Sequence, residues 1–227
     1  MSSVGQQMLL MAGEAEATLT FQGATSFPNT GQTVIFTAVP VGAPASGRYI
    51  FVAVPYILGG STNISIASAT IGGVVATIHA QVFEPAEVAV GGVALISALV
   101  PTGTTADITI TWASSGAFYE PEIAVYRVTG LRSLTPVDIK ALAPVSTTVS
   151  ATVNVVKGGI VIVCFHTYSS GATSRTMTGL PTDYTVNPTS GRFYLGGGEK
   201  TSVNGTVTAI VNSTTSQVWS AVMASFR

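Results

Sequence analysis

The second half of this chain repeats the pattern of the first. The segment 46–56, SGRYIFVAVPY, is matched by 157–168, KGGIVIVCFHTY, and the segment 106–128 is matched by 205–226. Both copies consist of short apolar runs separated by Gly, Pro, Ser and Thr, a pattern typical of β-strands joined by turns. We therefore expect an all-β chain in which an internal duplication has produced two strand-rich units.

The spacing of the strands favours antiparallel β-sandwiches. Segments 16–27 and 32–42 alternate apolar and polar residues, whereas 48–56 is apolar almost throughout, which is typical of a central strand that is covered on both sides or lies at an interface. The pair Gly72-Gly73 is expected to supply the positive φ of a turn between two strands. The predicted fold is two tandem sandwiches, of jelly-roll or Ig-like type, with one large sandwich as the alternative.

One segment between the two copies has a different composition. Residues 132–146 carry two prolines and three charged side chains, which indicates a linker. Only residues 4–12 and 136–142 have a pattern that is compatible with a helix or a helical turn. The predicted organisation is an N-terminal arm, a first sandwich, a linker and a second sandwich, at residues 1–14, 15–131, 132–146 and 147–227.

The low charge of the chain constrains its partners. Of the 227 residues only 8% are charged, against about 25% in an average soluble domain, and the net charge is -1. A surface with so few charges has little electrostatic penalty for packing against another subunit, so we expect self-association. Nucleic acid is not expected as a partner because the Lys and Arg residues are few and scattered. Membrane insertion is not expected, because no apolar run approaches the roughly 18–20 residues of a spanning helix.

The residue types that carry catalysis are present but do not form recognisable motifs. His79 and His166 lie in strand contexts without metal-ligand spacing, and Cys164 is expected to be a buried free thiol. The possible carboxylate pairs, Glu84 with Glu87 and Glu120 with Glu122, each flank a proline and are interpreted as solvated turn residues. We therefore predict no catalytic, cofactor-binding or metal-binding residues and no enzymatic activity.

Two other segments are candidates for contacts with partners. Met8, Leu9, Leu10 and Met11 form an adaptable apolar patch, and we interpret the arm that contains them as a docking segment. The N-terminus has no basic region of a signal peptide, so synthesis in a cytoplasm is expected. The aromatic pair Phe118-Tyr119 is interpreted as an exposed contact tip, whereas Trp112 and Trp219 are expected to fill equivalent core positions.

Several motifs together resemble a known group of proteins. RYIFVAVPY (48–56), IGGVVAT (71–77), VPTGTTADITITW (100–112) and IAVYRVTGL (123–131) are similar to segments of virion-associated proteins of tailed bacteriophages and prophages. The resemblance spans about residues 15–227 and supplies no catalytic residues.

The resemblance implies a structural role in a virus particle. It implies a β-sandwich virion protein of the capsid decoration, head fibre or tail appendage type, assembled in the host cytoplasm and located in the virion. With the low charge, it leads us to expect a homo-oligomer, with a trimer as the first choice, that contacts other virion proteins. The alternative function is a carbohydrate-binding adhesion module at a host-facing tip, in which the Phe118-Tyr119 tip would contact a surface glycan.

Overall fold

The chain folds into β-sheets throughout the part that the structure describes. The computed structural model describes residues 16–26, 31–59, 64–84, 90–114, 117–119, 121–168, 175–186 and 192–227. Every regular element in these ranges is a β-strand, and the strands form three antiparallel sheets. The predicted all-β fold class is therefore confirmed. The described ranges contain no helix that is long and apolar enough to cross a membrane.

The strands are numbered in chain order. They are β1 Thr18–Ser26, β2 Thr33–Pro40, β3 Tyr49–Gly59, β4 Ile66–Ile71, β5 Val74–Val75, β6 Thr77–Phe83, β7 Val90–Leu99, β8 Thr105–Trp112, β9 Ala117–Tyr119, β10 Glu122–Thr129, β11 Asp138–Leu142, β12 Val145–Val155, β13 Ile160–Tyr168, β14 Arg175–Thr178, β15 Tyr184–Val186, β16 Arg192–Lys200 and β17 Gly205–Phe226.

Strands β1 to β10 form a two-layered sandwich. One sheet has the order β1-β10-β3-β7-β6, with β9 also paired to β3, and the other has the order β2-β8-β4-β5. The pairs β1–β10, β2–β8, β3–β7 and β4–β5 are nested hairpins, which is the arrangement of a jelly roll. Alternate residues of the two sheets meet in an apolar core that includes Phe36, Tyr56 and Trp112.

Strands β11 to β17 form a second sandwich, and one long strand belongs to both of its layers. The first part of β17 pairs with β12 and β14, and its last part pairs with β13 and β11. Between these parts, residues 213–216 bulge relative to β12 where the chain passes from one layer to the other. The core between the layers includes Phe165, Phe193 and Trp219.

The two sandwiches have the same strand order. The inner sheet of the second is β11-β17-β13-β16-β15, which corresponds position by position to β1-β10-β3-β7-β6 of the first. Likewise β12, the first part of β17 and β14 correspond to β2, β8 and β4. This correspondence supports an origin by internal duplication, which stays a prediction. The limits of the two units also stay predictions.

A third apolar core joins the two sandwiches. It lies between the sheet of β3 and the sheet of β13 and includes Phe51, Tyr126, Ile162 and Phe226. We call this layer the seam. Because β3 contributes Phe51 to the seam and Tyr56 to the first core, the strand is buried on both faces, as its unbroken apolar sequence predicts.

The structure differs from the sequence expectations in the segment between the two units. Residues 138–142, for which a helical turn was expected, form the edge strand β11 inside the segment that was interpreted as a linker. Residues 205–226 form the single strand β17, because residues 213–216, STTS, contain no Gly or Pro and the chain stays extended as it changes layer. The Gly72-Gly73 turn is confirmed, with φ values of 59° and 77°.

A buried arginine holds one end of the first sandwich together. The side chain of Arg48 is fully buried. Its Nε, Nη1 and Nη2 donate hydrogen bonds of 2.6 Å each to the main-chain oxygens of Val100, Gly42 and Thr102. The guanidinium therefore links the chain before β3 to the turn after β7, and burial lowers the pKa of Arg48.

Candidate functional site

The residues predicted as contacts fall largely outside the described ranges. Met8, Leu9, Leu10 and Met11 lie in residues 1–15, outside those ranges. The backbone of Phe118 and Tyr119 is strand β9, which pairs with the end of β3, but their side chains are outside the described part of the structure. The docking arm and the contact tip therefore stay predictions.

The seam contains a buried carboxylate–imidazole pair that joins the two sandwiches. Oε1 of Glu84, just after β6, lies 2.8 Å from Nδ1 of His166 in β13, and both side chains are almost completely buried. The His166 ring stacks on Tyr194 with centroids 5.1 Å apart. It also lies over Gly91, where any Cβ would overlap the ring. The glycine therefore provides the space that lets the histidine of one sandwich approach the backbone of the other.

A second buried carboxylate lies in the same layer. Glu122 begins β10, and its side chain has no exposed surface. Burial raises the pKa of Glu122 to about 7, and the hydroxyl of the neighbouring Ser26 opposes the shift. The interpretation of Glu84 and Glu122 as solvated turn residues is therefore wrong: each follows or begins a strand that faces the seam. Glu87 and Glu120 lie outside the described ranges.

His79 and Cys164 are also packed in the seam. His79 stacks on Phe51 with centroids 5.6 Å apart, its Nε2 lies 2.8 Å from Oγ of Ser97, and burial lowers its pKa to about 4. Cys164 is a buried free cysteine, as predicted. Tyr184 donates its hydroxyl hydrogen bond to Sγ of Cys164 at 3.0 Å, and burial raises the pKa of the thiol to about 12. A thiol with this pKa is not a nucleophile at neutral pH.

The interior between the sandwiches therefore contains several buried polar side chains. Glu84, Glu122 and His166 are screened from solvent by the two inner sheets. Among the described residues, no group of three or more His, Cys, Asp or Glu side chains is arranged to hold a metal ion. The sequence does indicate one of these buried groups, because His166 interrupts an apolar strand and a buried titratable residue needs a partner. Nothing in the sequence identifies Glu84 as that partner.

The outer sheet of the second sandwich presents an uncharged surface. Its exposed or half-exposed positions on β12, β17 and β14, which we call the threonine face, are Thr148, Ser150, Thr152, Asn154, Thr206, Thr208, Ile210, Asn212, Thr176 and Thr178. The hydroxyls of Thr152 and Thr208 are 2.8 Å apart, and the hydroxyl of Thr148 donates to Oδ1 of Asn212 at 2.9 Å. Polar groups of this face are therefore partly satisfied within the sheet itself.

The outer sheet of the first sandwich has a similar but more apolar surface. Ile35, Thr109, Thr70 and Val75 form one row across β2, β8, β4 and β5. Ile35 is 45% exposed and Val75 is 78% exposed. Asp107 on β8 accepts a hydrogen bond at 2.8 Å from the main-chain nitrogen of Ala38, which has a φ of 52° in a bulge of β2.

The two tryptophans do not occupy equivalent positions. Trp112 lies on β8 in the outer sheet of the first sandwich, whereas Trp219 lies opposite Thr167 of β13 in an inner sheet. Both side chains are fully buried, but Trp112 belongs to an outer sheet and Trp219 to an inner sheet.

The described part of the chain thus defines a class of protein, namely an all-β protein of stacked antiparallel sandwiches whose outer faces carry few charged side chains. No protein-family model matches the chain, and comparisons with curated proteins and with solved structures also find no match.

Proposed function

We propose that this chain is a structural protein that assembles with copies of itself through the outer faces of its sandwiches, as a component of a virus particle of the bacteriophage type. The observation that carries the proposal is the threonine face. Its three strand segments contain no acidic side chain and no lysine, and their single arginine, Arg175, turns its guanidinium towards the ring of Phe193.

Covering the threonine face with a second sheet costs little free energy. Burying a charged side chain without a partner costs several kcal/mol, and burying an unpaired hydroxyl also costs free energy. On the threonine face neither penalty is large, because charges are absent and hydroxyls such as those of Thr152 and Thr208 already bond within the sheet. A second uncharged sheet can therefore cover this face at low cost, and the methyl groups of threonine add apolar area.

Assembly is tested by placing charge in the centre of the face. Thr152→Lys combined with Thr208→Lys is expected to lower the oligomer mass measured by light scattering, while the far-ultraviolet circular dichroism remains that of the wild type. Thr135→Lys, at an exposed position outside the threonine face, is the matched control and should leave the mass unchanged. If the double variant and the wild type have the same mass, the threonine face is not the contact.

The virion assignment is tested separately. Mass spectrometry of purified particles from a host that expresses this chain should detect it in stoichiometric amounts. Its absence from particles would remove the virion assignment and leave the assembly proposal standing, so the two parts fail independently.

A further inference from the structure

The geometry points to a carboxylate-binding site at Arg175, at one end of the second sandwich. The site consists of the guanidinium edge formed by Nε and Nη2 of Arg175, an aromatic floor of Phe193 and Trp219, and the hydroxyl of Ser213. It goes beyond the assembly function, because it would bind a chemically defined group rather than the face of a sheet.

The arginine is held over the end of the core. Arg175 is the first residue of β14, and its Cα lies opposite Ser213 of β17. Its Cζ is 4.5 Å from the centroid of the Phe193 ring and 5.9 Å from that of Trp219. The indole of Trp219 is itself fixed, because Nε1 donates to the main-chain oxygen of Ser146 at 3.0 Å. The cation–π contacts therefore orient the plane of the guanidinium.

One edge of this guanidinium lacks hydrogen-bond acceptors among the described residues. Nε and Nη2 of Arg175 are both shielded from solvent, and neither has a hydrogen-bond acceptor among the described residues. The buried hydroxyl of Ser213 likewise has no partner within the described ranges. Buried donors of a cation are rarely left unpaired, because losing their water contacts costs several kcal/mol per ion. Such groups indicate a place that a water, an ion or a ligand completes.

The identity of the open atoms selects the ligand. Nε–H and Nη2–H point in parallel from one side of the guanidinium, and this spacing matches the two oxygens of a carboxylate. The hydroxyl of Ser213, whose Cα lies opposite that of Arg175, is a further donor without a partner. A planar carboxylate therefore fits better than a tetrahedral anion.

The adjoining chain does not supply this carboxylate. Segments 169–174, SSGATS, and 187–191, NPTSG, precede β14 and β16 in the sequence, and segment 213–216 is STTS. None of the three contains Asp or Glu. We infer that the carboxylate comes from a separate molecule, either a small organic acid or an acidic side chain of a second copy.

The site carries its own spectroscopic reporter. The protein contains two tryptophans, so a Trp112→Phe background leaves Trp219 as the only emitter. Titration of this variant with acetate and with glucuronate is expected to change the Trp219 emission saturably. Sulfate, which is tetrahedral, is expected to bind more weakly. Since Trp112 is fully buried, calorimetric titration of the otherwise natural chain is the second measurement if the background variant does not fold.

Three variants decide the outcome. Arg175→Gln should weaken carboxylate affinity by about tenfold or more, the loss expected for a charge-assisted pair. Arg175→Lys should be weakened as well, because lysine retains the charge but not the parallel donors. Lys157→Gln makes the same charge change at an exposed position and should bind like the parent.

Different results would overturn the site and its bidentate geometry. Absence of a saturable signal in both measurements, or equal affinity in the parent and Arg175→Gln, would overturn the site and indicate that water alone completes the arginine. Wild-type affinity in Arg175→Lys would overturn the bidentate geometry. Light scattering during the titration distinguishes the two possible sources of the carboxylate. If acetate binds and dissociates oligomers, it competes with the carboxylate of a second copy. If acetate binds without a change in mass, the natural ligand is a free acid.

Discussion

The pH dependence of folding stability should be set largely by two buried groups of the seam that act in opposite directions. The carboxyl of Glu122 has its pKa raised by burial from 4.5 to about 7. Between these values the unfolded chain releases the proton while the folded chain keeps it. The free energy of unfolding therefore falls as the pH rises from 4.5 to 7, by about 3 kcal/mol in total at 1.36 kcal/mol per pKa unit.

His79 has the opposite effect. Burial lowers its pKa from 6.5 to about 4, so the unfolded chain binds a proton in this window while the folded chain does not. Its contribution to stability is present above pH 6.5 and is lost as the pH falls towards 4. The two effects overlap between pH 4.5 and 6.5, where they oppose one another, and the wild-type stability should vary little there.

Two single variants separate these contributions. In urea unfolding, the free energy of unfolding of Glu122→Gln should no longer fall towards pH 7. It should still fall at acidic pH because of His79. His79→Gln should show the reverse, a decline of up to about 3 kcal/mol as the pH rises from 4.5 to 7. Glu16→Gln removes a carboxylate from an exposed ion pair with Lys200 and is the matched control, in which the opposing effects both remain. Parallel profiles of Glu122→Gln and wild type between pH 4.5 and 7.5 would refute the reasoning.

Three further predictions concern individual contacts. Arg48→Met leaves three main-chain oxygens without their donor and should lower the free energy of unfolding by about 3–5 kcal/mol. A loss below about 1 kcal/mol in urea titrations would show that water replaces the guanidinium. Gly91→Ala places a methyl group against His166 and should cost about 1–3 kcal/mol by overpacking, whereas Gly47→Ala, which meets nothing within 4 Å, should be close to neutral in the same assay. Because burial raises the pKa of Cys164 to about 12, its thiol should react with a water-soluble disulfide reagent only as fast as the chain unfolds; rapid labelling of the folded protein would contradict the packing.

Local patterns were sufficient to predict the fold class and most strands. Alternation in β2, the unbroken apolar sequence of β3 and the Gly72-Gly73 turn each depend on a few neighbouring residues, and the structure contains each of them. β11 was missed because DIKAL has no strong strand pattern, and only its pairing with β17 makes it extended. Tertiary pairing thus overrode a weak local preference.

The polar interior could not be predicted for a different reason. Glu84 belongs to the first sandwich and His166 to the second, so their contact depends on how the two inner sheets stack. Local sequence around Glu84, next to a proline, is typical of a solvated turn. The same holds for Arg175, whose aromatic floor comes from β16 and β17. Residues that meet only through sheet packing leave no pattern of spacing in the sequence.

Sedimentation velocity of the wild-type chain at low and at high salt tests the central claim most directly. If the uncharged threonine face holds copies together, the sedimenting species should be an oligomer of the 23.1 kDa chain, and its mass should not change with salt, because screening acts on charges. A monomer of 23.1 kDa at micromolar concentration, or an oligomer that dissociates in high salt, would contradict assembly through this face.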